Sequence, residues 1–169
     1  GTGVKTDHAE AVTWVRKAAN QDNLTAQYML GVVYQSGQGV TKSDTDAAYW
    51  LTKAADQGHV TAQSNLAYMY RTGRGVPQDD VKAADLYRKA AAKGDRNALV
   101  NLAHMYRIGD AVEKDTGEAA RLYERAALQG HTLSQYYLGS LYENGDGVEK
   151  DVAGALHWYS ADINLPIKK

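Results

Sequence analysis

The chain has 169 residues, with 19 Lys and Arg against 20 Asp and Glu, a formal net charge of -1 and no Cys. That balance leaves no basic stripe to neutralise a phosphate backbone, so nucleic acid is not an expected partner. No run nears the roughly 18 apolar residues that span a bilayer, neither end reads as a secretory signal, and no thiol is present, so direct membrane insertion and cysteine chemistry are not expected either.

The opening segment, GTGVKTD at 1–7, aligns with GQGVTKS at 37–43 and GRGVPQD at 73–79. The chain is therefore expected to open in the middle of a repeat, with a preceding helix missing and a buried face exposed at that end. Thirty-six residues then separate Gly31 from Ala67, Ala67 from Ala103 and Ala103 from Gly139, each set in nearly the same phrase: LGVVYQSGQGV, LAYMYRTGRGV, LAHMYRIGDAV and LGSLYENGDGV. A fixed period of this length is the mark of a solenoid. It divides a single array sharing one core into a trailing half-repeat at 1–22, full repeats at 23–58, 59–94 and 95–130, a last repeat at 131–163 and a tail at 164–169.

Each repeat reads as a leading and a trailing helix. In the unit from Val60 to Gly94, the spacing of Ala62, Leu66, Ala67 and Tyr70 gives one apolar stripe, and Ala83, Leu86, Tyr87, Ala90 and Ala91 give a second. Gly73, Gly75 and Pro77 separate them, and Gly94 closes the second helix as its C-cap. The N-cap of the trailing helix falls on Asp7, Ser43, Asp79, Asp115 and Asp151, and in two units Glu10 and Glu118 complete a capping box. His59 and His131 share a phase and are expected to cap leading helices.

Small residues recur where helices must approach: Ala11, Ala47, Ala83, Ala119 and Ala155, then Ala18, Ala54, Ala90 and Ala126. Tyr34, Tyr70, Tyr106 and Tyr142 recur as packing residues whose hydroxyls are expected to find backbone partners. Gly37, Gly73, Gly109 and Gly145, with Gly3, Gly39, Gly75 and Gly147 in the same turns, are expected to take positive φ.

Together, L-G/A-x-x-Y-x-x-G-x-G-V, then Asp, then A-A-x-x-Y-x-x-A-A-x-x-G, resemble the Sel1-like repeat, a relative of the tetratricopeptide repeat, over nearly the whole chain. The resemblance implies an all-α fold of antiparallel helix pairs stacked in a right-handed superhelical solenoid. It also implies an adaptor or scaffold role, a bacterial origin, and no shared catalytic residue. The chain departs from the pattern where Ala111 replaces a loop Gly, which is expected to reshape the third turn, where Asp22 stands in place of Gly, and where Asp162 and Ile163 replace the Ala pair. In the tail, Pro166 stops a helix, while Leu165 and Ile167 either cap the last helix or stay detached.

Positions that vary between repeats are expected to face outward and form the binding surface. In the second repeat these are Thr61, Ser64, Tyr68, Arg71 and Thr72. By analogy with the tetratricopeptide groove, the counterparts are Tyr28, Val32 and Gln35, then Val100, His104, Arg107 and Ile108, then Tyr136, Ser140, Glu143 and Asn144. Tyr28, Tyr68 and Tyr136 offer amphipathic contact; Arg71 and Arg107 either hold a carboxylate or an acidic loop, or pair with nearby Glu or Asp and stay solvated.

No catalytic, metal or cofactor site is expected. His8, His59, His104, His131 and His157 form no HExxH or comparable ligand set, and no Ser is followed three residues later by Lys. Asn144 to Asp151 reads as a turn, because a calcium loop centred on Gly147 would begin at Tyr142 and end at Ala153. The expected function is a non-catalytic protein-interaction module binding a peptide or loop. The alternatives are an immunity-type inhibitor of a toxin or effector, and an envelope hydrolase of the kind suggested for cysteine-rich relatives, whose Cys pairs this chain lacks. End-to-end self-association through terminal faces, and residence in the bacterial periplasm, envelope or cytoplasm, are further expectations.

Overall fold

The computed structural model describes residues 8–161. Expectations that fall on Gly1, Gly3, Asp7, Asp162, Ile163, Leu165, Pro166 and Ile167 lie outside the described residues. Among the described residues all regular structure is helical: α1 (His8–Asn20), α2 (Leu24–Ser36), α3 (Asp44–Asp56), α4 (Val60–Thr72), α5 (Asp80–Ala92), α6 (Arg96–Ile108), α7 (Thr116–Ala127), α8 (Thr132–Asn144) and α9 (Val152–Ala161). They form an all-α repeat solenoid and divide into two compact units, one ending at Leu86 and the other starting at Tyr87 within α5.

In the first unit α1 packs on α2, α2 on α3 and α3 on α4. The small side chains of Ala47, Ala54, Ala55 and Ala62 let these helices close on Leu51, Leu66 and Met69. Leu51 is fully buried, a burial that contributes about 1.5–3 kcal/mol. A second cluster joins Val12, Ala19, Ala26, Leu30 and Trp50. Ala11 does not join it: the phase at which Ala47, Ala83, Ala119 and Ala155 are buried is exposed in α1. In the second unit α6 packs on α7, α7 on α8 and α8 on α9, around the fully buried Tyr123, Leu99 and Met105.

The turn from a leading to a trailing helix is closed by one repeated hydrogen bond. The N–H groups of Ser43, Asp79, Asp115 and Asp151 donate to the carbonyls of Tyr34, Tyr70, Tyr106 and Tyr142, at 3.0, 3.0, 3.0 and 2.9 Å. Closing so short a loop needs left-handed backbone. Gly75, at φ 71, takes it with its α-carbon pressed so closely on the start of α3 that a Cβ would overlap the Asp44 carbonyl. The third turn keeps this conformation despite its substitution, for Ala111 itself sits at φ 55. The sequence expectation of a reshaped loop is therefore corrected: the turn keeps its closing hydrogen bond, and Ala111 bears the roughly 1–2 kcal/mol that the left-handed region costs a non-glycine residue.

Two further expectations are corrected. The hydroxyls of Tyr34 and Tyr106 meet arginines, accepting from Arg16 Nη2 at 2.8 Å and Arg88 Nε at 3.4 Å, because nearby backbone groups are already engaged in helix and turn. The capping box at Asp115 does not close reciprocally. Asp115 Oδ1 accepts from the Glu118 N–H at 2.9 Å, but the Asp115 N–H is engaged by Tyr106 and the Glu118 carboxylate turns to Arg121.

The sequence reading missed a buried glutamine. Gln27, Gln63 and Gln135 donate through Nε2 to the carbonyls of Ala19, Ala55 and Ala127 near the ends of the preceding trailing helices, as a second donor beside the turn N–H groups of Asp22, Gly58 and Gly130. At the same phase in the third repeat stands Leu99, and there Arg125 Nη2 donates to the Ala91 carbonyl at 2.7 Å instead. The leading helices are capped as expected at His59 and His131, whose Nδ1 atoms accept from the N–H groups of Ala62 and Ser134 at 3.2 and 3.1 Å.

Arg125→Ala is expected to leave the Ala91 carbonyl with the Gly94 N–H alone and lower stability by about 0.5–1.5 kcal/mol, and adding Leu99→Gln is expected to recover part of that loss, as read by urea denaturation. A second expectation concerns pH. Burial, reinforced by the charge of Arg96, holds the His131 imidazole below its ordinary 6.5. Unfolded chains therefore bind the proton first, and the stability supplied by neutral His131 is complete above about pH 6.5 and declines as pH falls through the folded value. His131→Asn, which keeps an N-cap acceptor, is expected to flatten that acid limb in melting curves taken from pH 7.5 to 5.

Candidate protein-docking site

Within the first unit, the expected binding residues lie on α2 and α4. Tyr28 is half-buried, stacked on the His59 ring at 4.3 Å and 18°, and packs against the alanine-rich core. Tyr68 is exposed and Arg71 half-buried, but Ser64, expected on the open face, is buried. A cation firmly held here is Arg74, which the sequence reading passed over. Its Nη2 and Nε donate to the two Asp44 carboxylate oxygens at 2.8 and 3.3 Å, and that hydrogen bonding and charge hold the guanidinium above its ordinary value. Arg74 thus ties the turn after α4 to the start of α3.

Within the second unit, α6 presents Val100, His104 and Arg107 half-buried and Ile108 exposed, and α8 presents Tyr136, 57% exposed. Of these, Arg107 and Tyr136 come together at one cavity of about 440 Å3, which Lys114, Thr116, Tyr137 and Ser140 also line. Asp146, from the turn after α8, contributes a carboxylate to the same wall.

The Arg107 side chain is positioned by aromatic packing. Its Cζ stands 5.3 Å from the Tyr137 ring centroid, and that ring packs at 5.2 Å on Tyr123, fully buried in α7. Burial pushes the Tyr123 phenol above its ordinary value, and the adjacent Arg107 guanidinium opposes the rise. Tyr136 stands 5.7 Å from Tyr159, whose hydroxyl donates to Glu143 Oε2 at 2.8 Å. Gly139 lets this ring lie flat on α8, since a Cβ there would come within 2.6 Å of it. Burial first, then the bond to Glu143, raises the Tyr159 phenol.

Tyr137 and Lys114 were missed as site residues. Lys114 had a readable signal, because Lys42, Lys114 and Lys150 recur just before the trailing helix. Tyr137 had none: Asn65 and Asn101 hold its phase in the two repeats before it. Among the described residues, no group of three or more His, Asp or Glu is arranged to hold a metal ion, and no helix is long and apolar enough to cross a membrane.

The model of the Sel1 repeat matches residues 1–23, 24–59, 60–95, 96–131 and 132–161. No curated protein sequence gives a significant match. Among solved structures, c5321, a protective antigen of uropathogenic Escherichia coli strains displaying an SLR fold, is 39% identical with a TM-score of 0.91, over 95% of this chain and 34% of that one. A Sel1 repeat protein from Oxalobacter formigenes is 37% identical with a TM-score of 0.84, over 95% of this chain and 66% of that one. The chain therefore spans about a third of one and just under two thirds of the other. Immunity protein Pa5087 from Pseudomonas aeruginosa is 27% identical with a TM-score of 0.56, over 93% of this chain and 58% of that one. Proteins built from such repeats generally mediate protein–protein interactions. The five tandem matches, the period of 36 and the helical repeats place the chain in the Sel1 repeat family.

Proposed function

We propose that the chain is a non-catalytic docking module and that its second unit holds a protein partner through the faces of α6 and α8. The observation that carries this reading is the meeting of Arg107 and the exposed Tyr136 at one cavity, with Ile108 exposed on α6 nearby in sequence. Arg and Tyr dominate binding energy where a partner desolvates them, because each combines a broad apolar surface with directional donors. Among the described residues, the cavity wall offers hydroxyls, two cations and one carboxylate but no histidine to activate a hydroxyl. That set suits recognition better than group transfer.

A second reading, an inhibitor that blocks one toxin or effector, is favoured by the likeness to Pa5087. The two readings differ in how many partners bind and how tightly.

The test compares the native chain with Tyr136→Ala and Ile108→Asp as bait in lysate of the source organism, with retained proteins measured by mass spectrometry. Each substitution is expected to weaken a retained partner on the order of thirtyfold, a hot-spot cost of about 2 kcal/mol, while melting temperature stays within about 2 °C. One tight partner points to the inhibitor, and several weaker ones to a scaffold. Partners held equally by native and substituted chains contradict the assignment of this face.

A further inference from the structure

We infer that the cavity at α6 and α8 receives one carboxylate, carried by an acidic side chain of the docked partner, with Arg107 and Lys114 as its cationic receivers. The inference rests on the docking reading above and names the chemistry of its central contact.

The first reason is preorganisation. Arg107 does not wave in solvent: its guanidinium lies over Tyr137, which is braced by Tyr123. An anion entering the cavity meets a donor already in place, so little side-chain entropy is lost on binding. The second is a further brace. The Arg107 guanidinium stands beside the buried Tyr123 hydroxyl and its Nε is enclosed there, so a ligand oxygen is met by the terminal nitrogens of a side chain already held in place.

The third reason is charge. Arg107 and Lys114 against Asp146 leave the wall with one net positive charge, two minus one. A carboxylate neutralises it, whereas a phosphate dianion would leave the cavity negative, so the balance selects a monoanion. The rings of Tyr136 and Tyr137 provide apolar wall for the methylene stem of a glutamate, and the hydroxyls of Thr116 and Ser140 are further donors.

The test uses the full chain labelled with 15N and the blocked compound acetyl-glutamate amide, whose only charge is its side-chain carboxylate. Acetyl-glutamine amide and inorganic phosphate are run beside it. Saturable shifts are expected at the Arg107 Nε–H and the Ser140 amide with the glutamate compound and not with the glutamine one. Arg107→Gln is expected to weaken binding at least about tenfold, as loss of a charge-assisted pair would. Lys114→Gln, in an exposed turn clear of the Tyr137 stack, is expected to weaken it severalfold, and Asp146→Asn to strengthen it.

Equal shifts from both amides, no saturation, tighter binding of phosphate, or an Asp146→Asn chain that binds more weakly would each overturn the inference. If the glutamate probe fails while Tyr136→Ala still releases the partner, the docking face stands and its carboxylate contact falls. If both fail, so does the docking reading.

Discussion

The short hydrogen bond that closes each turn, from the N–H of the trailing-helix cap to a tyrosine carbonyl, is the constraint on which the rest depends. It fixes where the second helix starts relative to the end of the first, and so which alanines face each other. Its geometry demands left-handed backbone between the helices, which glycine supplies in three turns and Ala111 supplies at a cost in the other. Once the turn is set, only small side chains fit between the helices, and the larger Leu51, Tyr87 and Tyr123 fill one recurring buried phase.

This division of labour separates positions that stack from positions free to vary. Positions that recur every 36 residues supply most of the caps, turns and core. Arg107 shares a phase with Arg71, and the tyrosine packed under the Arg107 guanidinium is Tyr137, which appears in α8 where earlier leading helices carry Asn65 and Asn101. In the first unit the corresponding electrostatic investment is Arg74 with Asp44, which joins two parts of the fold. The two units are thus built from one repeat and offer different surfaces.

The same division explains what was legible in the sequence. Periodicity exposed the helices, their caps at Ser43, Asp79, Asp115, His59 and His131, and the alanine contacts, because each depends on residues close in the chain. It did not expose where side chains go once neighbouring repeats stack. The tyrosine hydroxyls met arginines eighteen residues away, and Glu118 turned from its cap to Arg121. Arg125 took over the carbonyl that Gln27, Gln63 and Gln135 serve elsewhere, a substitution visible only in three dimensions. The groove residues divided similarly. Arg107 and Tyr136 meet at one cavity, Tyr28 is stacked on His59, and Ser64 is buried, since a helical face read from one helix does not show what the next covers.

The most direct measurement of the central claim is photo-crosslinking in the source organism, with benzoylphenylalanine placed at the position of Tyr136 on the α8 face or of Glu124 on the exposed side of α7. The account predicts that the Tyr136 position captures a discrete protein partner and the Glu124 position does not. Capture from Glu124 with none from Tyr136 would contradict it, and would move recognition to the trailing helices.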